Sequence, residues 1–248
     1  MNSVWFCSLT SVFVVSLVSF VGIFTLALST KKLNNILIYL VSFSTGALFG
    51  DAFIHLLPES YQRNGFGLIV PLSALSGILV FFVLEKIIHW RHSHVVEEKK
   101  KVHSFAYMSL FGDGLHNFID GLIIAASYIV SIPVGLATTT AVIMHEIPQE
   151  VGDFGILVHG GFSRFRALTV NFLTALTAIL GAIVALWLSG IVANLANILL
   201  PLAAGGFVYV AGSDLIPELH KELNIKRSLL QIAFITAGIL IMLAFSYI

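Results

Sequence analysis

The stretch "SFAYMSLFGDGLHNFIDGLIIAASYI", residues 104–129, carries no lysine or arginine and is apolar at most positions, yet it holds Asp113, His116, Asn117 and Asp120. About twenty mainly apolar residues cross a hydrocarbon core of about 30 Å as a helix, so the stretch reads as a membrane span with one polar face. Seven more stretches read the same way. The predicted spans are 4–29, 34–57, 67–89, 104–129, 134–158, 167–191, 195–218 and 228–247. The fold class that follows is an all-α integral membrane protein of eight transmembrane helices, with residues 1–248 forming one domain. Composition agrees: 58% of residues are hydrophobic and 10% charged, and the mean hydropathy is +0.97, outside the range of soluble domains. The net charge of +0 and the lack of a basic, aromatic-interleaved segment exclude a nucleic-acid partner. Cys7 is the single cysteine, so no disulfide framework exists, and it reads as apolar filler in the first span.

Basic residues orient the spans. Lys31 and Lys32 follow span one; Lys86, Arg91, Lys99, Lys100 and Lys101 surround the end of span three; Arg164 and Arg166 follow span five; Lys221, Lys226 and Arg227 follow span seven. Only Arg63 among the 13 Lys and Arg lies on the other side. The positive-inside rule then places these loops in the cytoplasm and both termini outside. The first span has no positive segment before it and is too long for a signal peptide, so it is expected to remain as a helix.

Spans four and five concentrate the polar residues: Asp113, His116, Asn117 and Asp120 in one, His145, Glu146, Gln149, Glu150 and Asp153 in the other. Five are carboxylates. Facing lipid they would cost about 2.5–3.5 kcal/mol each, about 12–18 kcal/mol together, more than a typical net stability, so they face the bundle interior. Residues four apart share a helix face, which pairs His116 with Asp120 and His145 with Gln149, while Asn117 and Glu146 widen the face. The two helices are antiparallel, and counting from their ends puts 116–120 and 145–150 at one mid-membrane depth. A nitrogen and oxygen donor set without thiolate suits Zn²⁺, Fe²⁺ or Mn²⁺ better than Cu⁺. The competing reading is a hydrogen-bonded network that only joins the two helices. Pro148 lacks an N–H and clashes with the carbonyl of Met144, predicting a kink and a free carbonyl oxygen at that depth.

Span two contains "GALFGDAFIHLLPE" (46–59) and span seven "GGFVYVAGSDLIPE" (205–218). Aligned without gaps, Gly46 meets Gly205, His55 meets Asp214, Pro58 meets Pro217 and Glu59 meets Glu218. The two spans run in opposite directions as middle helices of groups 1–3 and 6–8. That is the pattern of an inverted repeat in secondary transporters, here around a central helix pair, spans four and five. Asp51, His55 and Glu59 fall toward the outer face as entrance candidates, and Asp214, Glu218 and His220 toward the cytoplasm as exit candidates, with Asp113 and Asp153 along the path. The loop "HWRHSHVVEEKKKVH" adds His89, His92, His94 and His103, either a weak metal-binding tract or a solvated loop.

Taken together, "HNFIDG" (116–121) and "HEIPQEVGDF" (145–154) resemble the paired signatures HNxxDG and HEIPHEVGDF of the ZIP (Zrt-/Irt-like) divalent-metal transporters, HEIPHE-type subfamily. "FGDAFIHLLPE" resembles that subfamily's second helix, and the likeness covers the whole chain. It implies transport of Zn²⁺, or of Fe²⁺, Mn²⁺ or Cd²⁺, toward the cytoplasm, with the metal as substrate and no separate cofactor. It also implies a homodimer in membrane lipid. The implied ligands are His116, Asp120, His145 and position 149, with Asn117, Asp120 and Glu146 near a second metal position and Glu150 beside them. Position 149 departs from the subfamily: Gln149 stands where His is usual, and an amide offers one neutral carbonyl oxygen, so four-ligand Zn²⁺ binding should weaken. Two other classes stay open. "HEIPQ" approaches the zinc-protease HExxH helix, lacking its second His, and a receptor could sense metal without moving it.

Overall fold

The computed structural model describes residues 2–25, 30–93, 104–191 and 195–247, and every regular element among them is helical. Eight helical segments follow the predicted spans. Segment α1 covers Asn2–Leu17 and continues through a tighter turn, Val18–Val21, into Gly22–Thr25. Segment α2 joins Thr30–Gly50, a widened turn Asp51–Leu56 and Leu57–Asn64; α3 is Ile69–Ser93, α4 Ser104–Val130 and α5 Ile132–His159. Segment α6 is Arg164–Ala175 and Thr177–Ser189; α7 joins Leu195–Tyr209, a second widened turn Val210–Leu215 and Ile216–Leu219; α8 is Ile225–Phe245. Six of the eight contain stretches long and apolar enough to cross a membrane. The other two, α4 and α5, are longer at 27 and 28 residues and fall outside that set because of the polar residues they carry.

A one-residue link sets the depth of those two. Ser131 is extended (φ −163°, ψ 159°), and its hydroxyl caps α5 by accepting the Val134 N–H at 3.3 Å. Pro133 in the first turn suits a position where no N–H is needed. Gly135 leaves room for the Tyr128 ring, which a Cβ there would meet at 2.2 Å. Counting 1.5 Å per residue, residues 116–120 lie about 16–22 Å and residues 145–146 about 21–22 Å from this turn, whereas 149–150 lie about 27–28 Å from it. The hairpin accounts for a common depth of 116–120 with 145–146, and puts Gln149 and Glu150 one turn further along.

Close helix crossings tie the rest to this pair. A Cβ on Gly121 would stand 1.9 Å from the Ala178 carbonyl oxygen, and one on Gly181 the same distance from that of Phe118, so α4 and α6 touch backbone to backbone. The same reciprocal device joins α2 to α8 through Gly46 and Gly238, and α7 to α3 through Gly205 and Gly77. Small residues at crossings are how membrane helices gain packing when lipid offers no hydrophobic drive.

These crossings carry the inverted repeat. The widened turns 51–56 and 210–215 coincide under the ungapped alignment of 46–59 with 205–218. In each, the following N–H reaches five residues back, Leu57 to Ala52 and Ile216 to Ala211. Such turns admit a residue that cannot join the ordinary ladder, and Pro58 and Pro217 follow at matching places. Segment α2 therefore runs past Pro58 to Asn64 rather than ending near residue 57. Segment α6, predicted as one span, is interrupted at Leu176, where the Thr177 hydroxyl donates to the Gly114 carbonyl at 2.6 Å.

Candidate metal centre

Four side chains converge on one point between α4 and α5. The Nε2 atoms of His116 and His145 are 3.2 Å apart. The Oδ2 of Asp120 lies 3.6 Å from His116 Nε2 and 3.2 Å from His145 Nε2; the Oε1 of Glu146 lies 3.4 and 3.5 Å from the same two nitrogens. A tetrahedron with metal–ligand bonds of about 2.0–2.1 Å has edges of about 3.3–3.4 Å, so these five separations match a preformed tetrahedral site. Asp120, His145 and Glu146 are buried, and His116 is half-buried. With both Nε2 atoms unprotonated, the two imidazole nitrogens and two carboxylate oxygens are all acceptors, an arrangement that a cation among them satisfies. The His145 Nδ1 lies 3.2 Å from the Ala141 carbonyl, to which it donates when Nε2 is left free to coordinate. Phe81 of α3 and Phe207 of α7 set ring edges against His116 and His145.

Around this core the other predicted residues divide. Asn117 is fully buried, and its amide donates to the Asp113 carboxylate at 2.7 Å, leaving its own oxygen without a partner. Asp113 also accepts from the Thr174 hydroxyl of α6, and Glu150 accepts from the Asn171 amide of the same segment. Asp153 accepts from Ser109 at 2.9 Å. Gln149 is half-buried and lines a cavity of about 260 Å³ together with His116, Asp113, Asp153 and Glu85. The Tyr209 hydroxyl of α7 donates to Glu85 across that cavity. The sequence reading missed Glu85, a lone carboxylate in an apolar run that looks like a loop flank because Lys86 follows it. Asn171 and Tyr209 carried no signal, since each matters through a partner on another helix.

Pro148 brings one correction. Segment α5 continues through it, and the Met144 carbonyl is not free: Ser44 of α2 donates its hydroxyl there. The proline vacates the bond and a neighbouring helix fills it.

The entrance candidates differ in burial. Asp51 is fully buried beside the Thr138 hydroxyl of α5; His55 is buried with Nε2 2.8 Å from the Met242 carbonyl; Glu59 pairs with Arg63 at 2.8 Å. On the other side Glu218, paired with Lys221, and His220 are exposed. The Asp214 side chain, those of His89 and His92, and residues His94 and His103 lie outside the described residues.

Residues 2–105 and 91–246 match the family model described as ZIP zinc transporter. Zinc transporter ZIP13 of Pongo abelii is 35% identical, over 98% of this chain and 78% of that protein. Zinc transporter ZIP13 of Homo sapiens is 31% identical, over 98% and 81%. Zinc transporter YKE4 of Saccharomyces cerevisiae is 32% identical, over 82% and 69%.

Proposed function

The chain belongs to the ZIP zinc transporter family, and from that premise we propose that it carries Zn²⁺ toward the cytoplasm through the centre formed by His116, Asp120, His145 and Glu146. It is an integral, multi-pass membrane transporter of a divalent metal and not an enzyme. The observation that supports the ligand set is the spacing of 3.2–3.6 Å among four converging ligand atoms. Fe²⁺, Mn²⁺ and Cd²⁺ are the competing ions that such a nitrogen and oxygen set admits.

Direction rests on charge. With the basic loops in the cytoplasm and both termini outside, the cavity lined by Glu85, Asp113, Gln149 and Asp153 lies on the cytoplasmic side of the centre. The buried Asp51 and His55 lie on the outer side. The protein is then held with its exit open: Asp153, Asp113 and Glu85 receive the ion, and Glu218, His220 and Asp214 mark the way out. Asp51, His55 and Glu59 serve the opposite state. Asn117, Gln149 and Glu150 surround the centre as further oxygen donors. Residues 1–248 act as one transport domain in lipid, as a homodimer, with the metal as cargo.

Purified protein in liposomes tests this. Wild type is expected to take up Zn²⁺, with Fe²⁺, Mn²⁺ and Cd²⁺ competing, and His116→Ala/Asp120→Ala/His145→Ala to take up none. Equal fluxes would end the proposal.

A further inference from the structure

We infer that Ser44, on α2, is a positioning residue for the metal centre: it fixes the backbone of α5 at His145 by donating to the Met144 carbonyl, whose helical partner Pro148 removes. The inference rests on the reading of His145 and Glu146 as ligands. In an α-helix the carbonyl of residue 144 accepts from the N–H of residue 148, and proline has none. An unpaired carbonyl among helices at membrane depth is costly, and neighbouring serine or threonine hydroxyls are one way of satisfying it.

Ser44 is fully buried, and its Oγ reaches both the Met144 carbonyl and, at 2.8 Å, the Leu40 carbonyl of its own helix. Its neighbours do not do this. Ser42 donates to Ile38 at 2.7 Å and Thr45 to Val41 at 2.8 Å, both within α2. The Met144 carbonyl belongs to the peptide unit that ends at the His145 nitrogen, so fixing its direction fixes the plane from which His145 and then Glu146 project. Both feed a cluster whose separations span only 3.2–3.6 Å, and such constellations tolerate displacements of about 0.5 Å. Segment α2 contributes none of the four converging ligand atoms; its hydroxyl acts through the backbone.

The experiment is a double-mutant cycle on the full chain in detergent, with Co²⁺ as spectroscopic probe and Zn²⁺ in competition. Ser44→Ala is expected to weaken Co²⁺ binding about tenfold, the lower end for losing a group that orients a ligand, with the number of ions bound per chain unchanged. In a Pro148→Ala background, alanine returns an N–H to Met144, and Ser44→Ala should then cost nothing further. Ser42→Ala should bind as wild type does. Equal losses in both backgrounds, or no loss in either, would overturn the inference. If Ser44→Ala folds only together with Pro148→Ala, the inference stands; if it folds in neither, the hydroxyl serves packing alone and the inference fails. Wild type without a Co²⁺ spectrum of nitrogen and oxygen ligation would instead remove the metal centre itself, a distinguishable failure.

Discussion

Gly121 ends the motif that begins at His116, and Gly121→Ala tests whether the α4–α6 crossing sets the centre's geometry. The added Cβ would stand 1.9 Å from the Ala178 carbonyl oxygen and 2.7 Å from its carbon. Both are backbone atoms that cannot swing aside. Bringing the nearer contact to about 3 Å, the closest that packed atoms adopt, displaces α4 by about 1 Å. Two of the four ligands, His116 and Asp120, ride on α4, so all four separations between α4 and α5 ligands change at once. A separation of 3.2 Å altered by that much no longer spans one ion with bonds of about 2.0–2.1 Å. Misplacement of about 1 Å costs on the order of 100-fold where geometry governs rate. Zn²⁺ uptake by proteoliposomes should fall by about that factor, with Co²⁺ binding lost in parallel. Gly152→Ala, on α5 where an added Cβ meets nothing within 4 Å, should stay within about twofold of wild type. Uptake by Gly121→Ala within about twofold of wild type would refute the reasoning. So would lost uptake with intact Co²⁺ affinity, because the crossing would then serve movement and not the site.

Zn²⁺ at 100 times its dissociation constant should stabilise the protein by about 2.7 kcal/mol, raising the melting temperature by about 5–11 °C for a chain of this size. His145→Ala should show no such rise, and an equal rise would remove His145 from the ligands. Asp51→Asn removes a charge site from a fully buried carboxylate and keeps a carbonyl oxygen for the Thr138 hydroxyl beside it. The detergent-solubilised variant should melt higher than wild type while uptake slows, and a lower melting point would contradict that account of Asp51. Gln149→His should lower both the Zn²⁺ concentration for half-maximal uptake and the maximal rate. A saturation curve reads both.

Much of this was legible in the chain because membrane insertion leaves few choices. Residues 104–129 cannot face lipid with Asp113 and Asp120 outward, so a polar interior follows from composition alone. The one-residue link at Ser131 makes the depth of His116 and His145 a matter of counting. The fourth converging atom was less legible. Spacing four apart pairs His145 with Gln149, whereas Glu146 enters the cluster because its carboxylate reaches around the helix toward His116, at 3.4 Å. Side-chain reach is not a periodicity. Ser44 and Asn171 escaped for another reason: each answers an unpaired group on a different helix, and only the packing tells which helix that is. The widened turns at 51–56 and 210–215 lay in between, since Pro58 and Pro217 matched in the alignment but a proline does not by itself tell a widened turn from an ordinary one.

The Gln149 prediction follows from what a carrier must avoid. Structural zinc sites bind with about 10–16 kcal/mol, which corresponds to dissociation constants of about 10⁻⁷ to 10⁻¹² M. With association near about 10⁹ M⁻¹ s⁻¹, the tight end of that range releases its ion about once in 1,000 s. Turnover of about 10 s⁻¹ therefore requires a dissociation constant no smaller than about 10⁻⁸ M. Four well-placed ligands are too good unless one can let go. Exposure points to His116: its side chain is 19% exposed, whereas those of His145, Asp120 and Glu146 are 1–2% exposed. His116 stands at the cavity wall beside Gln149, Asp113 and Asp153, so in the proposed centre its bond is the one that water and those two carboxylates can replace first. At that wall Gln149 offers the departing ion one neutral oxygen and no charge. An imidazole there would offer a nitrogen that replaces His116 as fast as it leaves, returning the ion to a four-ligand hold. Tighter binding and slower release then share one cause, and a Gln149→His protein that bound Zn²⁺ more tightly without losing maximal rate would show that release begins elsewhere.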